Sequence, residues 1–180
     1  RGIGKGICEV FCREGATVAL WDVLDGSETV KEISNNGGKI FYQKVDVTSQ
    51  ESVDKAITEI IKEHGKIEIL INNAGITRDN LFLRMKSTQW NDVINVNLNS
   101  NFYIIKSILP NMIKNRNGKI IGITSVVALT GNPGQANYTA AKSGMISMYK
   151  SLASEVAKRN ININLIAPGF IKSPMTEDLN

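Results

Sequence analysis

The sequence predicts an α/β fold, a doubly wound parallel sheet, on three observations. Short runs rich in β-branched and aromatic residues alternate with segments of helical period, which implies parallel strands joined by right-handed helical crossovers. Polar and glycine-rich clusters follow the strand-like runs: Asp22, Asp46, NNAG (72–75), Ser125 and Pro168-Gly169. That is the carboxyl edge of an open parallel sheet, where ligands bind. No internal repeat, low-complexity stretch or linker interrupts the alternation.

Taken in order, RGIGKGI (1–7) opens a helix at Gly2 and Gly4. ATVALWD (16–22) reads as a buried strand and is followed by a helix around residues 26–35. KIFYQKVDV (39–47) is the second strand. Thr48 and Glu51 then have the spacing of a capping box, ahead of Val53, Ala56, Ile57, Ile60 and Ile61 at helical period. IEILINNAG (67–75) is a third strand running into a turn.

A long helix is expected over 88–115, with Trp90, Val93, Ile94, Leu98, Phe102, Ile105 and Leu109 on its apolar face and a kink at Pro110. KIIGIT (119–124) is a fourth strand, residues 136–158 another amphipathic helix, and INLIAP (163–168) a fifth strand.

Composition narrows the function. The 180 residues are 42% hydrophobic and 21% charged, with a formal net charge of +4. That is ordinary for a globular domain. The charge is too mild and diffuse to argue a nucleic-acid partner, but it allows an acidic one. Cys8 and Cys12 lie four apart in a helical segment and read as reduced thiols of a cytoplasmic-type compartment. With His64 the only histidine, neither a metal site nor a Ser-His-Asp triad is expected. The longest uncharged run, 120–141, carries Gly, Pro, Asn and Gln, so no membrane span is expected there.

Each candidate site residue has an ordinary reading when taken alone. Gly2 and Gly4 at a helix start let a diphosphate approach backbone N–H groups, although Ile7 stands where the full G-x-G-x-x-G pattern has its last glycine. Asp22, about twenty residues after those glycines, can accept hydrogen bonds from a ribose, or can be a turn aspartate. Asp46 can hold an adenine amino group or enter a helix. Asn97 lies in a helix interior, where asparagine is a poor former, so it needs partners there. Tyr138 and Lys142 are one helical turn apart, which puts phenol and ammonium on one face.

Asn97, Ser125, Tyr138 and Lys142, with the glycines and NNAG, stand in the order and spacing of the short-chain dehydrogenase/reductase family. The chain resembles that family from its first residue to its last, and RGIG, NNAG, YTAAK and PG are the specific stretches. Within it, the chain is most similar to members that reduce 3-oxoacyl groups on acyl carrier protein in fatty acid synthesis. NNAGITRDNLFLRMK, GKIIGITSVVALTGNPGQANYTAAKSG and NININLIAPGFIKSPMT carry that similarity.

The resemblance implies a Rossmann-like fold and NADP(H) or NAD(H) as cofactor. Tyr138 is expected to protonate the substrate carbonyl oxygen, with Lys142 lowering its pKa and holding the nicotinamide ribose. Ser125 would donate to the carbonyl oxygen, and Asn97 would hold a water relaying protons to Lys142. Gly2, Ile3 and Gly4 match the phosphate loop, and Asp46 and Val47 the adenine contact. Asn73, Ala74 and Gly75 match the channel for adenosine and diphosphate. Pro168, Gly169 and Ile171 match the nicotinamide contacts, and Ser173 keeps a hydroxyl where relatives often have Thr.

Arg1 matches a basic residue that can pair with a 2′-phosphate, whereas the Asp22 carboxylate repels one. The direct clash at the ribose leans slightly to NAD(H). The small residues Ala140, Ala141, Ser143 and Gly144 are read as permitting close approach of a ligand or a partner subunit.

For partners, the resemblance implies acyl carrier protein, which is acidic, and a homotetramer. Arg116 and Arg159 match carrier-docking arginines, with Lys114 and Lys158 beside them. The localisation implied is cytoplasmic, with organellar import left open. Relatives are longer, so residues 1–180 are expected to be a single domain and part of a longer chain, without the first strand and the C-terminal helix and strand. An acetoacetyl-CoA reductase or another short-chain alcohol dehydrogenase shares every catalytic residue. A binding protein that kept the fold without the chemistry is the non-enzymatic alternative.

Overall fold

The computed structural model describes residues 2–169 and 171, which divide into two compact units. In the first, residues 2–46, α1 (Gly2–Arg13) precedes β1 (Thr17–Asp22), α2 (Ser27–Asn35) and β2 (Lys39–Lys44). The two strands pair in parallel, from Thr17 with Lys39 to Asp22 with Lys44. Cys8 and Cys12, one turn apart on α1, are buried with Ile33 of α2 against Val18, Leu20 and Ile40. Both thiols are free. Gly38 is required by this packing, because a Cβ there would lie 2.6 Å from Ile33 Cγ2 and 2.9 Å from Cys12 Cβ.

The second unit, Val47–Ile171, holds a three-stranded parallel sheet in the order β3 (Ile69–Asn72), β4 (Gly118–Ile123), β5 (Ile161–Ile166). Its first helix, α3 (Gln50–His64), buries the expected Val53, Ala56, Ile57 and Ile60. The expected Thr48–Glu51 capping box does not form its entry. Helical backbone begins at Gln50, so Ser49 is the extended residue, and its hydroxyl accepts from the Ser52 N–H at 3.3 Å.

The long helix is really three pieces: α4 (Ser87–Ile94), a π-helical turn (Asn95–Asn99) and α5 (Ser100–Asn115). The expected apolar face is met in part. Val93 and Ile105 are buried as expected, Trp90, Ile94, Leu98 and Leu109 are half-buried, and Phe102 is 49% exposed. Asn97, Ser100, Asn101, Ile104, Ile108 and Met112 complete the buried row. At about 100° per residue Phe102 stands on the opposite side of the helix from Val93, at the edge of the expected face. A π turn takes in one residue more than an α turn. α5 runs through Pro110 to Asn115.

Two short helices were not anticipated, a 3-10 turn at Phe82–Arg84 and α6 (Val127–Thr130). α7 (Ala136–Val156) matches the expected amphipathic helix. It lies close to β4 and the π turn because small residues face it. A Cβ on Gly122 would sit 2.7 Å from the Tyr149 ring, and one on Gly144 2.9 Å from Leu98 Cδ2. The closeness expected of Gly144 is thus used within the chain.

The sheet and these helices share a buried polar chain. Asn72 Nδ2 donates to the Tyr149 hydroxyl at 2.8 Å, and that hydroxyl donates to Asn101 Oδ1 at 2.7 Å.

Candidate active site

β4 delivers Thr124 and Ser125 at its carboxyl end. The Thr124 N–H donates to the Ile166 carbonyl at 2.8 Å and the Val126 N–H to the Pro168 carbonyl at 3.1 Å, so Ser125 is held between two rungs. The Thr124 hydroxyl donates to the Lys142 carbonyl at 3.1 Å, fixing α7 against the strand end.

Lys142 is 3% exposed, and its Nζ donates to the Ile123 carbonyl at 2.8 Å. The same Nζ lies 5.7 Å from the centroid of the Tyr138 ring. Burial without a carboxylate partner lowers the pKa of Lys142 to about 8. Burial also raises the pKa of Tyr138, opposed by its hydrogen bond with Ser125 and reinforced by the Asp79 carboxylate. The expected lowering of Tyr138 by Lys142 is not found. The ammonium is drawn to the strand-end carbonyl and stands by the ring, so desolvation of the phenolate dominates.

Asn97 is fully buried in the π turn. Its Oδ1 accepts from the Ile76 N–H at 2.8 Å and its Nδ2 donates to the Ile76 carbonyl at 2.9 Å. Asn101 Nδ2 in turn donates to the Asn97 carbonyl at 3.0 Å. This explains an asparagine inside a helix, because the side chain serves as a two-pronged clamp on the loop after β3. Asn97 Oδ1 and Lys142 Nζ lie 3.3 and 3.5 Å from the point where a Cβ on Gly75 would stand. Asn97, Lys142 and NNAG thus converge, and Tyr138 and Ser125 complete the group.

Asn73, Ala74 and Gly75 continue from the carboxyl end of β3, and Pro168, Gly169 and Ile171 lie beyond the end of β5. Val47 belongs to the same unit. In the first unit, Gly2, Ile3 and Gly4 form the first turn of α1, Asp22 closes β1 and Asp46 follows β2. Gly2 has a φ of +55° and no atom within 4 Å of an added Cβ, so its backbone is open to a ligand at the positive end of the helix. The Asp22 carboxylate is exposed, with Oδ1 accepting from the Leu24 N–H at 3.0 Å. These features fit a dinucleotide cofactor. Arg1 and Ser173 lie outside the described residues.

Arg116 and Arg159 are found elsewhere. They precede β4 and β5, at the amino ends of strands whose carboxyl ends carry Ser125 and Pro168. Arg116 Nη2 donates to the Lys158 carbonyl at 3.1 Å, and Asn160 Nδ2 donates to the Arg116 carbonyl at 2.9 Å. Within one chain they do not flank Ser125, Tyr138 and Lys142.

Sequence reasoning missed Asn137, Gln135 and Asp79, which tie the start of α7 to the loop after β3. The available signal was a row of amides, Asn132, Gln135 and Asn137, just before Tyr138. Among the described residues no cluster of acidic, cysteine or histidine side chains could hold a metal ion. No helix among them is long and apolar enough to cross a membrane.

The model of the short chain dehydrogenase family matches residues 1–180. The chain is 46% identical over 180 residues to the 3-oxoacyl-[acyl-carrier-protein] reductase FabG of Thermotoga maritima, covering 99% of this chain and 73% of that one. It is 45% identical over 181 residues to the protein of the same name from Escherichia coli, covering 100% and 73%. A crystal structure described as a short-chain dehydrogenase/reductase, from Burkholderia xenovorans, superposes with a TM-score of 0.93 at 30% identity. That match covers 98% of this chain and 71% of the other.

Proposed function

We propose that this chain, which belongs to the short-chain dehydrogenase family, reduces 3-oxoacyl-[acyl-carrier-protein] to the 3-hydroxyacyl form in fatty acid synthesis. The observation that carries the reading is the convergence of Asn97, Ser125, Tyr138 and Lys142 beyond the carboxyl ends of β3 and β4.

Bound NAD(P)H supplies the hydride that goes to the 3-oxo carbon. Tyr138 gives its hydroxyl proton to the carbonyl oxygen, and its raised pKa keeps the phenol protonated through neutral pH. The Ser125 hydroxyl donates to the same oxygen as negative charge develops. Lys142 holds the nicotinamide ribose, and a proton reaches Tyr138 again through the space shared by Lys142 Nζ and Asn97 Oδ1. The exposed Asp22 carboxylate favours a free ribose and leans to NADH.

The partner is acyl carrier protein and the site of action the cytoplasm. A homotetramer suits α5, where half-exposed Phe102 offers an apolar surface to a second copy.

The test is loss of reduced-nicotinamide absorbance with acetoacetyl-CoA and each cofactor, using the full natural chain and Tyr138→Phe as control. Oxidation that vanishes in the variant supports the reading, and the faster cofactor decides the ribose question. No oxidation by folded protein with either cofactor sinks it.

An acetoacetyl-CoA reductase is a second reading, favoured by the placement of Arg116 and Arg159 away from Ser125. Arg116→Glu separates the two. Carrier docking predicts a much larger loss on the carrier-linked substrate than on its short thioester analogue, whereas a CoA-specific enzyme predicts equal effects.

A further inference from the structure

Asn137 is fully buried, and the mechanism above gives it no part. Its Oδ1 accepts from the Tyr138 N–H at 2.8 Å. Its Nδ2 donates to two carbonyls, Arg78 at 3.0 Å and Gln89 at 3.1 Å. Asn97 holds the same loop two residues away, through both backbone groups of Ile76. Residues 76–78 are therefore a short bridge. One end is fixed by catalytic Asn97 and the other by the neighbour of catalytic Tyr138. Three residues span at most about 10 Å, so the bridge has little slack.

Adjacent bonds keep the far end in place. Gln135 Nε2 donates to Asp79 Oδ2 at 2.7 Å, the Asn80 N–H donates to the Gly134 carbonyl at 2.9 Å, and Asn132 Nδ2 donates to Gln135 Oε1 at 3.0 Å. This arrangement also brings the Asp79 carboxylate near enough to act on the Tyr138 phenol.

We infer that Asn137 is a positioning residue, which by holding the Arg78 and Gln89 carbonyls sets where Tyr138 stands relative to Asn97 and the reacting carbonyl. The inference rests on the reading of Tyr138 as proton donor. The two halves of the amide do different work. The Oδ1 bond satisfies an N–H in the first turn of α7, which any acceptor could do. The Nδ2 bonds fix the first turn to the loop after β3 and to α4, which only a donor can do.

Mutation separates the halves. Asn137→Asp keeps an acceptor for the Tyr138 N–H and turns the donor into an acceptor facing two carbonyls. Asn137→Ala removes both functions without burying a charge, and stands in if the aspartate variant does not fold. In the full natural chain with acetoacetyl-CoA, either variant is expected to lower kcat by about 10- to 100-fold, with KM for the cofactor within about 3-fold of wild type. The Tyr138 titration should also move. It is read without turnover by ultraviolet difference absorbance, each variant against its own Tyr138→Phe partner.

Wild-type kcat in Asn137→Asp would overturn the inference, since it would leave only the helix-entry role. So would an unmoved tyrosine titration, and so would failure of both variants to fold. A wild-type chain that reduces no thioester would instead defeat the substrate reading, and the titration would then judge positioning by itself.

Discussion

Lys142 Nζ donates to the Ile123 carbonyl at 2.8 Å, so the ammonium of α7 is tied to the last residue of β4, 5.7 Å from the Tyr138 ring centroid. The contact gives a buried cation one good acceptor and little else that is charged. Two consequences for pH follow, one for rate and one for stability.

The alkaline limb of kcat should belong to Lys142 and not to Tyr138. Lys142 loses its proton near pH 8, while burial keeps the Tyr138 phenol protonated above its ordinary range. The expected profile of reduction is flat through neutral pH, with a first inflection near 8. Lys142→Arg should move that inflection to higher pH, because guanidinium stays charged. An inflection that stays at the same pH in this variant would reassign it.

The same shift makes Lys142 a cost to folding. The native chain releases this proton near pH 8 and the unfolded chain near 10.5, so the unfolded state binds more protons in between. Stability therefore rises with pH across that window, and below it the full penalty of ~3 kcal/mol is present. Lys142→Met should be inactive yet melt higher than wild type at neutral pH. The advantage should shrink as melting is repeated toward pH 10.5.

Gly75→Ala tests the shared space beside Asn97 and Lys142. Its new methyl would stand 3.3 Å from Asn97 Oδ1 and 3.5 Å from Lys142 Nζ. At 3.5 Å Lys142 is in ordinary contact, but Asn97, hydrogen-bonded to Ile76, must give by a few tenths of an ångström. A kcat loss of roughly 10- to 100-fold is expected from crowding Asn97 and filling the space beside Lys142, with denaturant stability changed by less than about 1 kcal/mol. Unchanged kcat would show that the space is not used in turnover.

Tyr149→Phe should damage stability more than chemistry. The hydroxyl both accepts from Asn72 and donates to Asn101, and all three side chains are buried. Its removal leaves two polar groups without that partner, at about 1–3 kcal/mol each. Urea unfolding should show the loss, and the cofactor KM should be nearly unchanged.

How far the chain could be read from its sequence depended on the kind of order involved. Burial by period was legible: Val53, Ala56, Ile57 and Ile60 are all inside, and all five expected strands are present with boundaries shifted by up to three residues. Ser125, Tyr138 and Lys142 could be singled out because their identities, order and spacing match the family's motif. Order that depends on tertiary partners was not legible. Phe102 was put on the buried face although it stands about half a turn from Val93, and which edge of an apolar face is covered depends on the packing partners. Asn97 causes the π turn to matter by reaching Ile76, twenty-one residues back. Ser49 takes the cap from Thr48 because the start of α3 is fixed by the backbone and not by the S/T-x-x-E pattern. The effect of Lys142 on Tyr138 was misjudged because adjacency in sequence says nothing of the Ile123 carbonyl that attracts the ammonium.

The π turn at Asn95–Asn99 makes chain length itself a functional variable. Deleting one residue there would restore a regular helix, which is locally more comfortable. The flanking helices keep their phase, because the wider turn is what absorbs the extra residue. What is lost is the turn that presents Asn97 to both backbone groups of Ile76. Point substitutions across this segment can be absorbed one at a time. Removing a residue takes the clamp away whole, so a single-codon gap between Asn95 and Asn99 should cost activity more than it costs folding.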